Sequence, residues 1–202
     1  RLKENPEGEA VITLPAGVVL KGQETARTFL RGAGTEPAVT ASGADSRISN
    51  FTFTGVNGSP AIQVNAGSNL IISNNVFAIG SEGTAIQVEA ASPEIRHNVF
   101  FEIGTAVNTG GNGLTIENNA FVNNLVTLTP APVDESAIAH NGFFNDTDTV
   151  TTFGSNPVTG DPRFVDPAAL DFHLLADSPY INTVTGTADV LDDTEVDIGA
   201  YG

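Results

Sequence analysis

A six-residue phrase, apolar-x-Asn/His-x-x-Phe, recurs along the chain. It runs from Ile48 to Phe53, Ile72 to Phe77, Ile95 to Phe100, Ile116 to Phe121 and Ile138 to Phe143, in steps of 21–24 residues. A second phrase, alternating apolar and polar, keeps phase with it. It reads Ala38-Val39-Thr40-Ala41, Ala61-Ile62-Gln63-Val64, Ala85-Ile86-Gln87-Val88, Ala106-Val107-Asn108-Thr109 and Val126-Thr127-Leu128. Two strand-like phrases per period, bounded by Gly, Asn, Ser or Pro, leave no room for helices. Leucine-rich repeats share the period, but their Leu frame is absent. The pattern predicts an all-β fold, a single-stranded right-handed parallel β-helix (a solenoid) with an irregular C-terminal cap.

Stacked coils repeat about every 4.8 Å, so equivalent positions touch their copies above and below. Phe53, Phe77, Phe100, Phe121 and Phe143 are expected to form an interior aromatic stack. Ile48, Ile72, Ile95, Ile116 and Ile138 form an aliphatic one beside it. Asn75, Asn98, Asn119 and Asn141 fall in the turn between, where Asn tolerates left-handed backbone and its amides can bond along the axis as a ladder. Coils occupy residues 1–159. From residue 160 the repeat stops, and 160–202 reads as a capping segment of the same domain, with Phe164, Phe172, Leu174, Leu175, Tyr180 and Ile181 available to cover the last coil.

Composition narrows the class of protein. The chain has 202 residues, 40% of them hydrophobic, and a net charge of −16, which argues against nucleic acid or an anionic membrane as partner. No apolar run approaches the roughly 20 residues of a spanning helix. With no Cys, disulfides, thiolate metal sites and Cys nucleophiles are all excluded. The start at Arg1 and the absence of Met read as a processed or excised segment, compatible with an oxidising exterior.

The coils resemble the pectate-lyase-like right-handed β-helix superfamily. The entry phrase Leu14-Pro15-Ala16-Gly17-Val18-Val19-Leu20-Lys21-Gly22 and then Thr28-Phe29-Leu30-Arg31-Gly32 is similar to the opening coil of such proteins. In the tail, the order Gly160-Asp161-Pro162-Arg163-Phe164-Val165-Asp166-Pro167, Asp171-Phe172-His173-Leu174, Asp177-Ser178-Pro179-Tyr180-Ile181 and Asp197-Ile198-Gly199-Ala200-Tyr201 resembles the closing region of choice-of-anchor Q domain proteins. That resemblance implies a secreted or cell-surface bacterial protein. The family's acidic residue after the final Tyr is replaced here by Gly202.

Candidate chemistry is sparse. The outward columns read Ser49, Ser73, Arg96, Glu117, Ala139 and Gln63, Gln87, Asn108, Thr127. Gln63, Gln87 and Asn108 present aligned amides that can hydrogen-bond a sugar chain, which makes them the candidate binding residues. Superfamily lyases use an Arg base beside acidic calcium ligands, so an enzyme would rest on Arg96 with Glu94 and Glu117, although no Asp cluster joins them. The galacturonan-hydrolase motifs are absent, and the Asp192-Asp193 pair lies in the tail. Asp146 and Asp148 alternate as calcium ligands do, without the Gly and distal Glu of an EF-hand. The tail acids Asp189, Asp192, Asp193, Glu195 and Asp197 form a second acidic cluster. His97 and His140 share a column two coils apart, about 9.6 Å, too far for one zinc ion. They read as ladder substitutions, and His173 as a structural residue among apolar neighbours. Three sequons, at Asn50, Asn57 and Asn145, carry little weight in a bacterial-looking chain.

The leading expectation is a non-catalytic extracellular β-helix module, structural or binding a glycan or protein, with no cofactor except Ca2+ as a candidate. The alternative is a carbohydrate-active lyase or hydrolase. A third reading has the first coil stacking on another subunit or on removed upstream sequence.

Overall fold

The computed structural model describes residues 12–25, 28–31, 36–55, 58–110, 113–129, 137–147, 154–188 and 195–201. The repeating part is three parallel sheets of six, six and seven strands. One turn of the solenoid runs through Pro60–Val64 in the first sheet, Leu70–Ser73 in the second and Val76–Ala78 in the third. The next passes through Thr84–Val88, Glu94–Arg96 and Val99–Phe101 in the same order. Each six-residue phrase thus contains two strands around a bend, so a period holds three strands where the pattern suggested two.

Registry between turns is strict. Phe53, Phe77, Phe100 and Phe121 pair in sequence with Phe143 at the end. Their rings lie parallel at centroid separations of 4.9, 5.0, 4.9 and 5.4 Å. All five are buried, as are Ile48, Ile72, Ile95, Ile116 and Ile138 beside them. Backbone pairing sets the rise, and the rings and aliphatic chains fill the interior at that rise.

The asparagine column divides into two roles. Asn75, Asn98, Asn119 and Asn141 form the expected ladder, each Nδ2 donating to the next Oδ1 at 3.0–3.1 Å. They are not, however, the left-handed residues. Positive φ belongs to the residue just before, in the column Asn50, Asn74, His97, Asn118 and His140, with φ between 52° and 65°. The chain makes its sharp bend one residue early, which aims the next side chain inward. Asn and His are the types that tolerate this backbone, so the two histidines do stand in for asparagine. His97 Nε2 lies 3.4 Å from Asn118 Nδ2, and His140 Nε2 lies 3.1 Å from Asn156 Nδ2.

In the last strand of the first sheet, the alignment Val126-Thr127-Leu128 shifts by two residues. Val107 pairs with Leu128 and Asn108 with Thr129, while Thr127 is fully buried. Likewise Ser49 and Ser73, expected on a solvated face, are 2% and 1% exposed, and Arg47 Nη2 donates to Ser73 Oγ at 2.8 Å.

The tail is placed differently from a cap over the last coil. Phe172, Tyr180, Ile198 and Ala200 form a second core with Val76, Val99, Ala120 and Val122, on the outward face of the third sheet. Phe164 and Leu174 pack against the same cluster. The backbone N–H of Gly199 donates to Asn118 O at 3.0 Å, and Asn74 Nδ2 donates to Ala200 O at 3.4 Å. The tail therefore lies along the side of several turns. Those strands are apolar on both faces, and an uncovered outward face would leave that surface in water.

Gly142 shows how the seat is made. It falls in the outward column of Val99 and Ala120, and a Cβ there would sit 2.3 Å from the Tyr180 ring. Gly142→Val is expected to lose about 1–3 kcal/mol by overpacking and to displace the tail. Thermal unfolding followed by tyrosine near-ultraviolet dichroism checks this, and an unchanged spectrum and midpoint would count against the docking.

Candidate functional site

The first sheet brings the three amide candidates together. Gln63 pairs with Gln87, and Gln87 with Asn108. Strand alternation turns all three outward from an interior that holds Ile62, Ile86 and Val107. Three residues missed in the sequence extend the row: Thr13 pairs with Thr40, Thr40 with Gln63, and Asn108 with Thr129. The result is a straight column, Thr13-Thr40-Gln63-Gln87-Asn108-Thr129, of neutral hydroxyl and amide groups. The signal was available, because each follows the apolar lead of its strand.

The amides of the column are unevenly engaged. Gln63 Nε2 is buried without a partner. Gln87 Nε2 reaches only a long 3.5 Å contact with Val88 O. A rigid row of donors and acceptors at about 4.8 Å is suited to an extended ligand that itself repeats.

Arg96, Glu94 and Glu117 are also neighbours. Arg96 lies 3.6 Å from Glu94 Oε2 and is the strand partner of Glu117. The Arg96 and Glu94 side chains are 38% and 47% exposed. At that exposure a surface ion pair contributes about 0–1 kcal/mol, and the trio stands on the outward face of the second sheet, away from the amide column.

Asp146 ends a second, shorter ladder. Its Oδ1 accepts from Asn124 N at 2.8 Å and Nδ2 at 2.9 Å, and Asn124 Oδ1 in turn accepts from Ile103 N at 3.1 Å. Asp148, Asp189, Asp192 and Asp193 lie outside the described residues. Asp197 Oδ1 accepts from Asn182 N at 2.7 Å. Among the described residues no group of three or more His, Cys, Asp or Glu side chains is placed to hold a metal ion.

His173 departs from the expected apolar setting. It is exposed, its Nδ1 lies 2.6 Å from Asp171 Oδ1, and its ring stacks on Tyr201 at 4.1 Å. Hydrogen bonds from the His173 side chain and backbone hold the Asp171 carboxyl below the usual carboxylate value. Tyr201 is pushed up to about 12, chiefly by burial and then by the charges of Asp171 and Glu24. Burial also raises Tyr180 far above the ordinary phenol value, with Asp146 and Asp161 adding to it.

Residues 21–126 match the family model described as a right handed beta helix region. Searches of curated proteins and of solved structures gave no match. Among the described residues no helix is long and apolar enough to cross a membrane.

Proposed function

The chain belongs to the right handed beta helix family, and from that premise we propose that it is a non-catalytic module binding a neutral, extended polysaccharide. The observation that carries this is the register of Gln63, Gln87 and Asn108 in one outward column. The solenoid backbone fixes the spacing of these amides before a ligand arrives, so their alignment with a repeating chain need not be ordered on binding. The tail's likeness to choice-of-anchor Q proteins supports a place at a bacterial surface, where such polymers are met. A glycan-binding face also needs no cofactor.

A polysaccharide array probed with the whole chain tests the reading. Retention on a neutral linear glycan is expected, weakened about 2–10-fold by each of Gln63→Ala, Gln87→Ala and Asn108→Ala. Arg96→Ala should bind as the parent does. A clean array, or a triple variant that binds unchanged, would overturn the proposal. Release of new chain ends from the bound glycan, lost in Arg96→Ala, would instead establish the enzyme alternative.

A further inference from the structure

Where the tail lies against the third sheet it leaves two adjoining grooves, of about 540 and 420 Å³. Both are walled by Phe101, Glu102 and Pro167. The larger adds the rings of Phe144 and Phe164, with Asp161 and Arg163 at its rim. Its aromatic wall is braced from behind, since Phe172 meets Phe101 edge-on at 5.2 Å and Phe164 at 5.1 Å. Among the described residues lining this cleft the one cation is already committed: Arg163 lies 2.6 Å from Asp177. Glu102 and Asp161 are exposed carboxylates beside these rings, on a chain of net charge −16.

The geometry points to a second binding site in this cleft, for an organic cation of the alkylammonium or guanidinium type. Its alkyl part lies on Phe101 and Phe144, its charge meets Glu102 and Asp161, and the ring faces add cation–π attraction. An inorganic anion would meet two carboxylates here and be repelled. The site lies on the third sheet, apart from the amide column, so the glycan reading and this one stand or fall separately.

Glu102 allows binding to be separated from folding. Its φ is 53°, in a column where the following turns carry Asn123 at 58° and Asn145 at 55°. Those two asparagines bond to each other, Asn145 Nδ2 to Asn123 Oδ1 at 2.8 Å. Glutamate suits this backbone less well than asparagine. Glu102→Asn is therefore expected to raise the melting temperature while it removes the charge that holds the ligand.

The cation has two sources, a free polyamine or a Lys or Arg side chain of a peptide. Calorimetric titration of the whole chain with spermidine, and separately with a short Lys/Arg peptide, distinguishes them by which binds more tightly. Saturable binding at physiological salt is expected for at least one probe, at least tenfold weaker in Glu102→Gln and Glu102→Asn and unchanged in Glu89→Gln. Absence of binding by both probes overturns the proposal. So does binding that survives Glu102→Gln, or that magnesium chloride displaces equally well, since either marks counterion attraction by an acidic surface. A melting temperature that falls in Glu102→Asn overturns the claim that glutamate is kept there at a cost in stability.

Discussion

Cutting Phe100 back to alanine is expected to cost about 3–5 kcal/mol. The ring is fully buried and lies between Phe77 at 5.0 Å and Phe121 at 4.9 Å, within 4° of parallel to both. Its removal takes away the transfer energy of the side chain and two ring contacts, each worth about 0.5–1.5 kcal/mol beyond area. The hole cannot close, because backbone pairing on either side holds the neighbouring turns at their fixed rise. Phe143, which stacks on Phe121 at 5.4 Å at the end of the row, is expected to cost less on the same change. Urea unfolding of the two variants measures the difference. Equal costs, or a loss below about 1.5 kcal/mol at Phe100, would mean the rings do not stabilise one another along the axis.

Asn119→Ala is expected to be as damaging, at about 3–5 kcal/mol, although it removes far less volume. The Asn119 amide donates to Ile95 O at 2.8 Å, Glu117 O at 3.0 Å and Asn141 Oδ1 at 3.1 Å. Its Oδ1 accepts from Asn98 N and Asn98 Nδ2, both at 3.0 Å. Alanine leaves several of these groups buried without partners, and each such group costs about 1–3 kcal/mol. Its neighbour Asn118, at φ 56°, gives the opposite profile. Asn118→Gly keeps the left-handed backbone available and is expected to lie within about 1 kcal/mol of the parent. Unfolding midpoints of Asn118→Gly and Asn119→Ala decide between the roles. If Asn118→Gly proves the costlier, the assignment of bend and ladder is reversed.

The sequence alone places both the bend and the ladder in one column, Asn75, Asn98, Asn119 and Asn141, and the structure separates the two roles. Asn74-Asn75 and Asn118-Asn119 are adjacent asparagines, and composition does not say that the bend and the ladder fall on different ones. The histidines held the answer: His97 and His140 occur only in the first column, where a left-handed backbone is tolerated but an inward amide is not required. The shift at Thr127 has a similar cause. The final coil replaces the Ala-apolar-polar-apolar phrase with Val126-Thr127-Leu128, and pairing with the turn below moves Leu128 inward. The amide column was legible residue by residue, because strand alternation and a constant rise place Gln63, Gln87 and Asn108 together without further information.

The sequence by itself determined the period, the phenylalanine and isoleucine stacks, the inward ladder and the outward amides. Each of those positions meets its own copy on the next turn, so contacts in space are written as spacing along the chain. The tertiary structure decided where the tail goes. Residues 160–201 do not repeat, and nothing in their spacing names a partner. Only packing shows Phe172 and Tyr180 against Val76, Val99 and Ala120, and with it the cleft at Glu102. The sequence did carry a trace of this, in strands such as Val99-Phe100-Phe101 that are apolar on both faces. A strand needs that pattern when a second layer covers it, but the pattern does not say which segment supplies the cover.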